Sequence, residues 1–237
     1  MDFTLRKGEI HALMGENGAG KSTLIKCLTG INDFEAGEIR VDGVEGPVKN
    51  HSTLDAQKVG ISTVYQEVNL CPNLSVAENL YIGREPFHTI DRKKMLRQAD
   101  ELVKRLDIKV DVAQNLENYS LAIQQMIAIA RAVDMDCKVL ILDEPTSSLD
   151  DSEVEKLFKM MLQLKEQGVG IVFVTHFLEQ VYAVCDRITV LRNGTLVGEY
   201  PVADLPRVKL VAAMMGKDFD DLASIKPEGF DVKKDAP

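Results

Sequence analysis

Gly15-Glu16-Asn17-Gly18-Ala19-Gly20-Lys21-Ser22-Thr23 is the stretch that decides how this chain folds. The apolar run Ile10-His11-Ala12-Leu13-Met14 before it reads as a buried strand, and Leu24-Ile25-Lys26-Cys27-Leu28 after it reads as the first turns of a helix. The glycines let the backbone curl so that N–H groups from Asn17 to Ser22 converge on phosphate oxygens, and the helix start adds the positive end of its dipole. Lys21 is expected to reach β- and γ-phosphates, and the Ser22 hydroxyl to coordinate a magnesium ion. A glycine-rich turn without a ligand leaves unexplained why Lys and Ser follow the last Gly without a gap.

Composition bounds what can surround this loop. With 237 residues, 45% hydrophobic and 27% charged, the chain can bury a sizeable core, either as one domain with an inserted subdomain or as two domains. A net charge of -9 argues against a nucleic-acid surface. Cys27, Cys71, Cys137 and Cys185 lie more than forty residues apart, so they read as thiols of a reducing compartment, with neither a disulfide lattice nor a zinc site. No apolar run approaches the length of a membrane span, and no signal peptide heads the sequence.

Along the chain, Phe3 and Leu5 followed by Arg6-Lys7-Gly8-Glu9 suggest a hairpin into the loop-feeding strand. Residues 37–43 read as a strand and turn, Thr53 to Lys58 as a short helix, and Val59 to Tyr65 as a strand. From Ser75 to about Val133 the patterns are helical; Met95, Leu96, Ala99, Leu102, Val103 and Leu106 share one helix face. Strands return at Val139-Leu140-Ile141-Leu142 and Gly170 to Val174, each followed by a helix, and Asn193-Gly194 marks a hairpin turn. This order places a helical insertion, at about 67–134, inside a parallel α/β core. Residues 1–216 are expected to form one domain, with a small antiparallel β subdomain; 217–237 reads as a linker or disordered tail.

Polar residues at the strand ends are the candidates for chemistry. Asp143, closing the apolar strand, suits a direct or outer hold on magnesium; Glu144, one residue on, can accept a proton from attacking water and orient it toward a γ-phosphate. Two acids after a strand are by themselves only a strand end, and their coupling to the phosphate loop carries the functional reading. His176 follows the strand ending near Thr175, at the sheet edge where ligands collect, and can donate to a γ-phosphate or position the water. Gln66 fits the same rim as a neutral ligand for magnesium or water. His11, His51 and His88 read as structural or exposed, and Arg92-Lys93-Lys94 as a solvated helix start.

These elements together resemble the ATP-binding subunit of ABC transporters, over about Asp2 to Gly216. Gly15 to Thr23 resembles the Walker A motif, Tyr65-Gln66-Glu67 the Q-loop, Val139 to Glu144 Walker B, Ser147-Ser148-Leu149-Asp150 the D-loop, and His176 the switch histidine. The run Tyr65 to Asn79, with Gln124-Gln125-Met126, Asp143 to Leu149 and Cys185-Asp186-Arg187-Ile188, is similar to the N-terminal half of the tandem ATPases that drive bacterial import of simple sugars such as ribose, galactose and xylose. The resemblance implies a P-loop NTPase fold, ATP and Mg2+, and nucleotide contacts from Ser120, Gln124 and Asp150 across a dimer. It also implies a second ATPase domain (homodimer or tandem half), a transmembrane sugar permease met near Val68 to Ala77, and an extracytoplasmic sugar-binding protein reached indirectly. The implied location is peripheral, on the cytoplasmic side of the cell membrane.

Three departures shape the expectation. The signature loop, Leu-Ser-Gly-Gly-Gln in the family, is here Tyr119-Ser120-Leu121-Ala122-Ile123, which keeps the serine but loses both glycines, so one composite site is expected to be weaker. The family's adenine-stacking aromatic falls before Asp2, and its second ATPase half falls beyond Lys217. A soluble ABC ATPase acting on a ribosome or nucleic acid predicts a basic face, against which the net charge of -9 weighs. A P-loop small-molecule kinase needs an acceptor pocket and an arginine-rich lid, and the Asp143-Glu144 pair favours water activation instead. A non-hydrolysing nucleotide-binding partner is the reading that the Leu121-Ala122 loop keeps open.

Overall fold

A computed structural model describes residues 1–66, 69–83 and 91–216. Its strands are β1 (Ile10–Met14), β2 (Ile61–Val64), β3 (Val139–Asp143), β4 (Gly170–Val174), β5 (Arg187–Arg192) and β6 (Thr195–Pro201). They form one six-stranded sheet in the order β2-β3-β4-β1-β5-β6, parallel except for the antiparallel β5–β6 hairpin. Asn193, at φ 50, and Gly194, at φ 76, turn that hairpin, as their left-handed conformations allow.

Apolar residues fill both faces of each central strand because a parallel sheet is covered on both sides. The strand period of two divides them between two clusters. Ala12, Met14, Leu140, Leu142, Ile171 and Phe173 belong to one; Leu13, Ile141, Val172 and Val174 belong to the other. The first cluster packs against α3 (Val76–Tyr81), α4 (Arg92–Arg105), α5 (Leu121–Val133), α6 (Asp151–Glu166), α7 (Leu178–Val184) and α8 (Arg207–Met215). The second lies under α1 (Lys21–Leu28) and α2 (Thr53–Lys58). Phe173, wholly buried, meets Phe158 edge-on at 6.2 Å between ring centres. Each such side chain contributes about 1.5–3 kcal/mol through burial.

Between β2 and β3 the described elements are α3, α4, a 3-10 turn (Leu116–Asn118) and α5. Ser75 starts α3 with a capping box to Glu78, and Asp91 caps α4, which then exposes Arg92, Lys93 and Lys94 to solvent. The expected apolar face of α4 is turned inward: Ala99, Leu102, Val103 and Leu106 are buried, and Met95 and Leu96 pack against them.

The amino-terminal hairpin and the small antiparallel subdomain are not formed as expected. Residues 1–9 carry no strand; Phe3 and Leu5 pack on the second cluster, and the Arg187 guanidinium donates to Thr4 O. Within 37–48 the antiparallel pairing is a single bridge, Ile39 to Val48. Gly37, Gly43 and Gly46 at φ 107, 73 and 76 bend the backbone out of a ladder. Pro47 has no N–H to donate to one. Glu67, Val68, Phe87, His88 and the expected tail at 217–237 lie outside the described residues.

Candidate functional site

Registers align the carboxyl ends of four neighbouring strands. Val64 of β2 stands beside Leu142, Asp143 of β3 beside Val174 of β4, and Val174 beside Leu13 of β1. The segments leaving these ends carry Gln66, Asp143-Glu144, His176 and the loop Gly15 to Thr23. At ~4.8 Å per strand, four adjacent ends span only about 14 Å. Residues far apart in sequence therefore meet along one rim.

The loop itself is built on glycine. Gly15 has φ 154, and a Cβ there would lie 2.4 Å from Leu191 O and 2.8 Å from the Ala19 Cβ. Gly20, at φ 103, caps α1. Ala19 N–H donates to Glu16 O at 3.1 Å, and Gly194 N–H donates to Ala19 O at 3.0 Å, tying the loop to the β5–β6 turn. The first N–H groups of α1 have no partner within their own helix. Glu16, Asn17 and Gly18 are exposed, as are Ser22 and Thr23. The Lys21 ammonium folds across the loop and donates to Gly15 O at 2.7 Å and Glu16 O at 3.1 Å.

Electrostatics link this lysine to the acids of β3. Burial pushes the Lys21 ammonium below its usual range, while Glu144 and Asp143 pull the other way. Burial raises the Asp143 carboxyl, Glu144 adds to the rise, and Lys21 opposes it. Glu144 sits at φ 48, a left-handed conformation for a residue with a Cβ, and its N–H extends the ladder by donating to Val174 O at 2.9 Å. The Glu144 carboxylate lies 3.5 Å from His176 Nδ1, and the exposed imidazole lies against Phe177 with ring centres 4.0 Å apart and planes tilted by 38°.

Gln66 stands exposed after β2, on the same rim. Ser120 and Gln124 do not hydrogen-bond to the loop: Ser120 begins α5 without capping it through its side chain, and Gln124 Nε2 donates to Tyr119 O at 3.0 Å. Asp150 caps α6; its carboxylate accepts from Glu153 N–H at 2.9 Å and the Ser152 hydroxyl at 2.8 Å, which hold it below the usual carboxylate range. A cleft of about 1090 Å³ borders Gly18, Gly20 and Thr23 and continues past Leu24, Leu28, Phe34 and Ile39. The exposed Gln66 and His176 and the half-buried Glu144 are outside it.

Two polar groups have partners that the sequence reading did not give. His11 is fully buried: its Nε2 bonds the Thr189 hydroxyl at 2.7 Å, and the half-exposed Phe3 ring tilts against it at 4.9 Å. Glu9 and Arg187 are buried nearby, paired at 3.2 Å. The second group is Thr146, Thr175 and Gln180. Gln180 Oε1 accepts from the Thr146 hydroxyl at 2.7 Å and from the Thr175 hydroxyl at 3.2 Å. Each is an ordinary polar residue within its own segment, so no local pattern singles it out.

A family model described as ABC transporter matches residues 1–147. The chain is 55% identical over 222 residues to the galactofuranose transporter ATP-binding protein YtfR of Escherichia coli K12, covering 93% of this chain and 44% of that protein. It is 51% identical over 229 residues to the fructose import ATP-binding protein FruK of Bifidobacterium longum, covering 95% and 44%. The chain thus spans less than half the length of these relatives. Among solved structures, the ATP-binding cassette MJ1267 in its ADP conformation superposes with a TM-score of 0.77 at 21% identity, over 92% of this chain and 91% of that one. The dimeric cassette MJ0796 superposes with a TM-score of 0.68 at 26% identity, over 84% and 88%.

Proposed function

The chain belongs to the ABC transporter family, and from that membership we propose that it binds and hydrolyses ATP at a dimer interface to power import of a simple sugar through a membrane permease. The observation that carries this reading is the alignment of Gln66, Asp143-Glu144, His176 and the Gly15–Thr23 loop along four adjacent strand ends.

The loop's N–H groups and the Lys21 ammonium hold the phosphates; the ammonium exchanges its two carbonyl partners for phosphate oxygens. Among the described residues no cluster of three or more His, Cys, Asp or Glu could hold a metal. Ser22, Gln66 and Asp143 instead offer an all-oxygen set, which fits Mg2+, an ion that keeps waters and takes phosphate oxygens as ligands. When bound, Mg2+ neutralises phosphate charge. Glu144 accepts the proton of the attacking water, and His176, 3.5 Å from it, steadies that water and the γ-phosphate.

The open rim needs a cover to exclude water, and a second ATPase domain supplies it through Ser120, Gln124 and Asp150 of the facing copy or tandem half. The dimeric MJ0796 cassette supports this arrangement. Leu121, 41% exposed, and the buried Ala122 stand where glycines would let a backbone approach a phosphate, so the site that this chain's own loop completes is the weaker of the pair. Among the described residues no helix is long and apolar enough to cross a membrane. The reading therefore places the chain as a peripheral subunit on the cytoplasmic face, docked to the permease and coupled through it to an extracytoplasmic sugar-binding protein. The sugar-import relatives support the substrate class.

The test is ATPase rate against protein concentration, alone and with the cognate permease, for the wild type and Glu144→Gln. Weak hydrolysis alone, a steeper than linear concentration dependence and loss of activity in the variant are expected. A wild-type rate in Glu144→Gln sinks the assigned base.

A further inference from the structure

Glu144 and His176 lie on two separate segments, one leaving β3 and the other leaving β4. The β3–β4 ladder ends at Asp143 and Val174, with one further bond from Glu144 N–H to Val174 O. Their side chains nevertheless face each other at 3.5 Å, with Glu144 held in a left-handed backbone conformation and the imidazole exposed. Such a pair drifts apart unless something beyond the ladder joins the two segments.

Gln180, on the first turns of α7, is what joins them. Thr146, two residues after Glu144, and Thr175, one residue before His176, are each 3% exposed. Their hydroxyls donate to the same oxygen, Gln180 Oε1, at 2.7 and 3.2 Å. A carbonyl oxygen has two lone pairs, and both are used. Thr175 Oγ1 in turn accepts from Phe177 N–H at 3.1 Å, which fixes the residue whose ring lies tilted against His176. Gln180 N–H donates to Phe177 O at 3.1 Å, closing the same turn on itself. One amide thus connects the glutamate segment, the histidine segment and the aromatic ring beside the imidazole.

We propose that Gln180 is a positioning residue that holds Glu144 and His176 in register for hydrolysis by bridging Thr146 and Thr175. The proposal rests on the ATPase reading above. Gln180 touches neither the nucleotide loop nor the water; its effect passes through the two side chains it aligns. Oriented groups lose rate steeply for small displacements, whereas phosphate binding by the Gly15–Thr23 loop does not depend on the bridge. Only the acceptor oxygen is required, so a carboxylate of the same length serves in its place.

The experiment measures kcat and KM for ATP in the full chain carrying Gln180→Met, Gln180→Glu, Thr146→Val or both Gln180→Met and Thr146→Val. Gln180→Met and Thr146→Val are each expected to lower kcat about tenfold with KM within about twofold, and the double variant to fall no further. Gln180→Glu is expected to keep kcat within about twofold of wild type, because both hydroxyls retain an acceptor. An unchanged kcat in Gln180→Met, or an equal loss in Gln180→Glu, overturns the proposal. A second readout is the His176 imidazole signal in NMR spectra of histidine-labelled chain, assigned with His176→Gln. It is expected to be sharp in wild type and Gln180→Glu and exchange-broadened in Gln180→Met. Wild-type hydrolysis in Glu144→Gln removes the ATPase assignment of that residue but not the bridge. The bridge then stands or falls on the imidazole signal alone: broadening in Gln180→Met supports it, and no change overturns it.

Discussion

Acid should weaken this protein through His11. The imidazole is enclosed by Phe3, Thr189 of β5 and the ion pairs of Arg187 with Glu9 and Glu199, and its pKa is lowered to about 4 from 6.5. Burial is the main cause; the Arg187 charge adds to it, Glu199 and the Thr4 backbone oppose it, and Arg6 contributes slightly in the lowering direction. In the unfolded chain the ring takes its proton near pH 6.5, so below that pH the unfolded state binds more protons than the folded one. The stability owed to a neutral His11 is therefore complete above pH 6.5 and is lost as pH falls toward 4. Linkage puts the loss at about 2 kcal/mol by pH 5 and about 3 kcal/mol by pH 4. Because His11 lies on β1, which feeds the phosphate loop, ATP affinity should fall with it. Urea unfolding of wild type and His11→Gln at pH 7.5, 6 and 5 reads the effect as a difference in slope. Parallel pH dependences in the two proteins, or a His11 ring resonance titrating near 6.5, would refute the reasoning.

Gly15→Ala places a Cβ at 2.4 Å from Leu191 O. Neither backbone can yield without moving β5 or the loop, so ATP affinity should drop more than about tenfold, a loss of at least ~1.4 kcal/mol, by titration with a fluorescent ATP analogue. Unaltered affinity would show that the loop's curvature is not what holds the phosphates. Leu121→Gly removes the 41% exposed side chain from the start of α5 and restores close backbone approach. The dimer-dependent ATPase rate should rise, at a cost of up to ~1 kcal/mol in helix stability; a lower rate at equal folded fraction would count against Leu121 as the obstacle.

Most of the candidate site was legible because its signals are local. The Gly15 to Thr23 loop announces itself by glycine spacing between a strand and a helix, and Asp143-Glu144 and His176 stand directly after apolar strands. The side chains of Ser75, Asp91 and Asp150 cap their own segments, a local signal of the same kind. The amino-terminal hairpin misled for a physical reason. Alternating Phe3 and Leu5 satisfy the strand period, yet both bury against the second cluster without a ladder partner. His11 shows the same limit from the other side: nothing in Ile10 to Met14 says that an arginine 176 residues later will lie beside it, but β1 pairs with β5 and aligns His11 with Arg187.

The sequence by itself determined the elements and the chemistry each one ends on, because capping, glycine curvature and apolar periodicity act over a few residues. The tertiary structure decided the strand order and register that make those ends neighbours. Strand order set β2, β3, β4 and β1 side by side, and long-range burial chose the partners of His11 and Gln180. Those contacts depend on the free energy of the whole packed core rather than on any one segment, which is why a glycine-rich loop could be read from nine residues and the partners of His11 and Gln180 could not.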